Sequence, residues 1–320
     1  MTRKIRHLGA SGLLGLLITV GLITGCGKEA SEIEVQFVRQ WDKSGPEAGT
    51  LKEPIGIAVD REGMVYVSEA GAHRIQKFTL EGQPVLRWGG EGRQKGEFQR
   101  PMHLAISQNG EVFVPDFGND RIQVFTAAGT YVREWGTSGS GEGEFDAPAG
   151  VAVGNQGEVG VADFYNHRLQ IFDRQGRLRR IVGSQGHEPG YLYYPTDAAW
   201  LQGRGWVVAD AYNHRIQIFD PVGKLIIFWG KKAEGSAPPG TFNVANAVAV
   251  DGSGRIYVAD FYHHRIQVFA ADGTLLTVFG RQGSGPGEFY RPTDVAVYPP
   301  DWLLVADWGN NRIQVFKIKG

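Results

Sequence analysis

The chain has 320 residues, 46 of them glycine, and a formal net charge of −1. Basic residues never cluster beyond pairs such as Arg179-Arg180 and Lys231-Lys232. Without the basic stripe that follows a phosphate backbone, nucleic acid is not an expected partner. Cys26 is the only cysteine, which excludes an intrachain disulfide and leaves packing to hold any fold together.

Taken in chain order, the first signal is one of address. Arg3, Lys4 and Arg6 form a basic start, and residues 13–23 are a largely apolar run. That run is short for a membrane span and is followed by small residues, the pattern of a secretory signal. Ile23-Thr24-Gly25-Cys26 resembles the bacterial lipobox, which implies a signal peptide over 1–25 and lipidation at Cys26. Residues 26–32 then read as a short polar tether. The expected location is extracytoplasmic, periplasmic or at the cell surface, anchored to a membrane through the lipid. Removing the signal leaves 30 basic and 34 acidic residues.

From residue 33 onward the chain is periodic. Arg-Ile-Gln-x-Phe, or a close variant, recurs with arginines at 74, 121, 168, 215, 265 and 312, spaced by 47, 47, 47, 50 and 47 residues. A period in this range marks a repeat architecture whose units bury their faces only against neighbours. Each copy begins at a proline (Pro54, Pro101, Pro148, Pro195, Pro292; Ala245 in the fifth) and runs through a short strand containing Ala58, Ala105, Ala152, Ala199, Ala249 or Ala296. A tight turn and a second strand follow, then the Arg-Ile-Gln-x-Phe strand. The last strand ends in Trp88-Gly89, Trp135-Gly136, Trp229-Gly230 or Phe279-Gly280, with Val182-Gly183 as the exception. Such runs of β-branched and aromatic residues, punctuated by Gly, Asp and Asn, are strand and hairpin signals. Four strands per unit, repeated radially, predict an all-β six-bladed β-propeller of antiparallel blades over residues 33–320. The repeats fall near 54–98, 101–145, 148–192, 195–242, 245–289 and 292–316. The sixth copy lacks a fourth strand, and residues 33–41 carry that pattern with Trp41 47 residues before Trp88. The N-terminal strand is therefore expected to complete the last blade and leave no open edge. A single closed ring is expected to be monomeric.

Val161-Ala-Asp-Phe-Tyr-Asn-His-Arg-Leu-Gln-Ile-Phe172 and Val208-Ala-Asp-Ala-Tyr-Asn-His-Arg-Ile-Gln-Ile-Phe219 resemble the NHL repeat, a family of six-bladed propellers. That resemblance covers residues 33–319. It leaves activity open, since the family holds RNA binders, protein binders, sensor domains and a peptide-amidating lyase. In that lyase, zinc is held by histidines placed directly after the blade-opening proline. The equivalent residues here are Ile55, Met102, Ala149, Thr196, Asn246 and Thr293, so that zinc centre is not carried over.

Several residue sets invite chemistry. An acidic residue stands five places before each repeated arginine; Asp116–Arg121, Asp163–Arg168, Asp210–Arg215, Asp260–Arg265 and Asp307–Arg312 are expected to be structural pairs with two-point contacts. His73, His167, His214 and His264 precede the arginine in four copies and are expected to be exposed turn residues. His103, Asp197, Asn246 and Asp294 stand near the start of the inner strands and are candidates for the channel mouth. No metal or other cofactor is expected there, although a calcium site of the lactonase kind would draw on Asp197, Asn246 and Asp294. Phe117, Phe164, Tyr165, Tyr212, Phe261, Tyr262 and Trp308 lie in the turns between the second and third strands. Aromatic residues dominate interface hot spots, so these are the candidate ligand face, with Phe117 and Trp308 expected to lead. Residues 230–241 form the one lengthened interblade loop, where repeat proteins often place binding. The functional expectation is a binding scaffold for a protein or cell-envelope ligand. The alternative is a propeller enzyme, resembling the lyase or a lactonase, with its site at the channel mouth.

Overall fold

The computed structural model describes residues 33–41, 50–233 and 237–320. Cys26, its tether and part of the lengthened loop therefore lie outside the described residues. Among the described residues, no helix is long and apolar enough to cross a membrane.

The chain forms six antiparallel sheets of four strands. The third blade shows the common plan: Pro148–Val153 is innermost, followed by Val159–Asp163, Arg168–Phe172 and Leu178–Val182. The second and third strands are buried on both faces, apart from half-buried Arg74 and Lys77 in blade one and the strand ends at Trp302, Lys317 and Lys319 in blade six, because each sheet is packed between two neighbours. Aromatic side chains fill the gaps between blades. Phe145 and Trp135 meet Phe172 with ring centroids 5.6 and 5.8 Å apart, and Phe98 and Trp88 meet Phe125 likewise at 5.5 and 5.9 Å.

The ring closes as the repeats imply. Glu34–Trp41 pairs antiparallel with Arg312–Lys319, becoming the outer strand of the sixth blade. Trp41 takes the place that Trp88 and Trp135 hold elsewhere. Trp88 lies against Gly129 and Trp135 against Gly176, where a Cβ would sit 2.9 and 2.6 Å from the indole; Trp41 covers Gly82 in the same way. These glycines also have φ of +75 to +88°, a region L side chains rarely adopt.

Each blade is tied to the next by a pair of left-handed residues. The residue before each repeated arginine (His73, Asp120, His167, His214, His264, Asn311) has φ between +50 and +56°. Its side chain accepts the backbone N–H of the residue preceding the next blade's opening position, in all six copies, over 2.8–3.1 Å. The last of these, Glu53 to Asn311, joins blades one and six. The expectation of exposed turn histidines is thus corrected. Each imidazole holds its neighbour's backbone through Nδ1, and His167 is buried.

Candidate functional site

The expected acid–arginine pairs form in every copy, but as part of a larger cluster. Arg Nε meets the carboxylate at 2.6–2.8 Å in Asp116–Arg121, Asp163–Arg168, Asp210–Arg215, Asp260–Arg265 and Asp307–Arg312. The two-point contact occurs only in the first copy, where Arg74 reaches both oxygens of Glu69 at 2.6 and 3.2 Å. Elsewhere Nη2 is committed to the interblade loop; in blade four Arg215 Nη2 donates to the carbonyls of Glu188 and Tyr191. Gln217 Nε2 donates to the same Asp210 oxygen at 3.0 Å, and its Oε1 accepts from Gly190. The other Asp210 oxygen accepts Tyr193 N–H at 2.7 Å. Every polar atom of this cluster has a local partner, so it fastens loops rather than offering free groups for chemistry.

The channel axis is different. In most blades the ladder slips at its first residues: Pro292 pairs with Asp307, then Asp294 with Ala306, leaving Thr293 out of register. Pro148 and Gly150, and Ala245 and Ala247, repeat the slip. A bulge of this kind re-aims the following side chain. The residue two places after the opening position stands at the channel axis, and in blades two, four and six it lines the axial cavity. Around the ring these residues are Gly56, His103, Gly150, Asp197, Ala247 and Asp294. Blades two, four and six supply His103, Asp197 and Asp294; the intervening blades supply glycine or alanine. The small residues make space: a Cβ on Gly56 would lie 2.8 Å from His103 Cα, and one on Gly150 would lie 2.7 Å from Asp197 Cα.

His103, Asp197 and Asp294 converge in a cavity of about 210 Å³ whose lining otherwise consists of apolar residues such as Ile57, Val151 and Val248. All three are buried, and their ligand atoms lie within 4.8 Å of one another. Asp294 Oδ2 accepts Ile57 N–H of blade one at 2.8 Å, and Asp197 Oδ2 accepts Val248 N–H of blade five at 3.0 Å. His103 bridges blades two and three through its backbone instead, donating to Ala149 O and accepting from Val151 N. Its imidazole is thereby released from structural duty. Nδ1 stands 3.4 Å from Asp294 Oδ2, close enough for charge attraction, yet makes no hydrogen bond. Burial disfavours the charged imidazole, but Asp294 and Asp197 outweigh it and push the His103 pKa above its ordinary value. Burial also pushes the Asp197 carboxyl up, with Asp294 adding to the rise and His103 opposing it.

Asn246 does not join this set. It occupies the slipped position one residue earlier, and its amide donates to Thr293 O at 2.7 Å. Asn246 stands in register with Thr196 and Thr293, one place before the aspartates, and the slip between Ala245 and Ala247 leaves it out of the ladder.

The aromatic turns stand at the same end of the channel, because each blade-opening residue pairs with the acidic residue that begins its turn, as in Pro148–Asp163 and Pro292–Asp307. Phe117, Phe164, Tyr165, Tyr194 and Tyr212 make a continuous run of ring contacts with centroids 4.9–6.4 Å apart. Phe261 joins Tyr262 and Trp308 at 4.8 and 6.1 Å. The Arg291 guanidinium lies over Tyr262, 5.4 Å from its centroid, and 6.0 Å from Trp308. Five blades contribute to this rim; the first offers only Ala70-Gly71. Exposure reverses the expected ranking. Tyr165, Tyr212 and Tyr262 are 45–50 % exposed, whereas Phe117 and Trp308 are half-buried and support them. Tyr194, which precedes a blade-opening proline, escaped the sequence reading because it lies outside the repeated turn.

The NHL repeat profile matches residues 51–78, 145–172, 242–269 and 289–316. The chain is an NHL-repeat β-propeller. No curated protein matches its sequence. Among solved structures, this NHL propeller resembles a streptogramin B lyase with TM-score 0.61 and 15 % identity, covering 90 % of this chain and 98 % of that one. It also resembles an inactive virginiamycin B lyase from Staphylococcus aureus with quinupristin (TM-score 0.59, 19 % identity, 89 % and 85 % covered). A Bacteroides thetaiotaomicron protein of unknown function gives TM-score 0.67 at 16 % identity, with 90 % and 77 % covered. At these identities the likeness speaks for the propeller fold alone.

Proposed function

We propose that this NHL propeller is a lipid-anchored, extracytoplasmic binding scaffold that engages a protein or cell-envelope ligand across the aromatic end of its channel. The observation that carries the reading is the rim itself: Tyr165, Tyr212 and Tyr262 stand exposed on a floor of half-buried aromatics. Rigid aromatic side chains give large contact area at low conformational cost. Replacing Tyr165, Tyr212 and Tyr262 together by alanine is expected to abolish ligand capture from envelope extracts while leaving the melting temperature within a few degrees. Retained capture by the triple variant defeats the proposal. The anchoring part rests on Ile23-Thr24-Gly25-Cys26; Cys26→Ala is expected to abolish lipid labelling and release the protein from the membrane fraction.

A second reading, an enzyme at the channel mouth, is favoured by one observation: an imidazole without a hydrogen bond at Nδ1 faces two buried carboxylates. Because one structural neighbour is seen with quinupristin, incubation with that compound and mass spectrometry is the direct trial. Conversion that His103→Gln abolishes would select this reading.

A further inference from the structure

The axial cavity gathers three titratable side chains among apolar walls. Two carboxylates from blades four and six meet there, and the lining contains no lysine or arginine to answer them. His103 is the only other titratable group in that lining. Its side chain is 97 % buried, and its Nδ1 has no hydrogen-bond partner. A buried polar atom left unpaired costs about 1–3 kcal/mol, and buried charge is ordinarily paired or bound to metal.

We propose that His103, Asp197 and Asp294 form a binding site for one divalent transition-metal cation at the mouth of the channel. Three facts support it together. The three ligand atoms come from separate blades yet lie within 4.8 Å of one another; bond lengths of about 2.0–2.2 Å place tetrahedral ligand atoms about 3.4 Å apart, so the widest pair must close by up to about 1.4 Å. The donor set, one imidazole nitrogen and two carboxylate oxygens, favours zinc, manganese or iron over an all-oxygen calcium site. Both carboxylates are oriented by backbone N–H groups of the following blade, at 2.8 and 3.0 Å, the kind of outer support that fixes metal ligands. The three side chains line the cavity at the end of the channel that carries the aromatic rim.

Among the described residues, other clusters lack this combination. His263 is near Asp260, but that carboxylate already serves Arg265 and Gln267. The blade-linking histidines spend Nδ1 on backbone N–H groups.

The test is calorimetric titration of zinc chloride into the purified full-length chain after chelator treatment, with cobalt(II) as a spectroscopic probe. The expected result is one zinc per chain, a rise in melting temperature with free metal, and cobalt bands that zinc abolishes. His103→Gln and Asp197→Asn are each expected to weaken binding at least tenfold, while exposed His187→Ala leaves it unchanged. Asparagine at 197 keeps an oxygen for Val248 N–H, so that variant retains its inter-blade bond. Circular dichroism verifies folding; should either variant misfold, the wild-type cobalt spectrum and stoichiometry decide alone. Absence of stoichiometric binding by the wild-type chain overturns the proposal, as does binding that survives in both folded variants.

Discussion

At mid-radius the six copies barely differ: an acidic residue, an arginine and a glutamine clamp an interblade loop in each blade, with Nε–carboxylate distances of 2.6–2.8 Å throughout. Two residues past the blade-opening position the copies part ways, alternating Gly56, Gly150 and Ala247 with His103, Asp197 and Asp294. The first set satisfies its own hydrogen bonds; the second leaves an imidazole nitrogen unpaired and two carboxylates facing a cavity. Repetition here marks what every blade needs to stand beside its neighbour. Departure from repetition marks where the ring has something to do that one blade cannot do alone.

The largest disturbance to the repeated network comes from its only composite member. In the sixth blade Arg312 also donates to Gln40 of the N-terminal strand at 2.8 Å, and Trp41 covers Gly82. Deleting residues 33–41 removes both and uncovers Phe316, which Phe37 meets edge-on at 5.8 Å. Losing Phe37 and Trp41 forfeits about 1.5–3 kcal/mol each in burial, against a usual total of about 5–15 kcal/mol. The truncated chain is expected to aggregate or melt far below the parent; an unchanged thermal melt would show that the outer strand is dispensable.

A smaller effect probes the alternation at the axis. Gly150→Ala places a methyl 2.6 Å from Thr196 O and 2.7 Å from Asp197 Cα, and overpacking of this kind costs about 1–3 kcal/mol. The expected outcome is a lowered urea midpoint with unchanged slope, and a displaced Asp197. A neutral result would mean that the small residues are not there to admit their neighbours. The smallest effect belongs to the rim: Tyr212→Ala alone is expected to change stability by about 0.5 kcal/mol or less, since Tyr212 is 47 % exposed and its contacts to Phe164 and Tyr194 lie at the surface. A clear loss of stability would reassign it to packing.

The fold was legible because each physical requirement recurs in the same register. The axial alanine and the acid–arginine–glutamine set announce themselves six times, the opening proline five times and the aromatic-glycine pair four, and Trp41 shows the ring closure by its 47-residue spacing to Trp88. The site was legible only in part. His103, Asp197 and Asp294 were within reach because each departs from its equivalents, but the bulges at the blade openings, such as the one that aims Asp294 and the one that turns Asn246 aside, are backbone events with no residue signature of their own. The turn histidines misled for another reason. Their left-handed backbone delivers Nδ1 to the next blade, and a histidine in that role looks in sequence like any polar turn residue. Reading Asp120 and Asn311 in the same column, where they accept the same N–H, is the signal that would have revealed it.

The division between a self-satisfied scaffold and an underused axis is tested most directly by melting two variants side by side in metal-free buffer. Arg215→Leu strands Asp210 as a buried charge, and removing one partner of such a pair costs about 3–5 kcal/mol. His103→Gln loses no hydrogen bond of the imidazole at Nδ1 and keeps the backbone bridge to Ala149 and Val151, so about 1 kcal/mol is expected. The account predicts that Arg215→Leu melts well below the parent while His103→Gln stays close to it. Equal losses, or the reverse order, would show that the axial residues hold the ring together and contradict it.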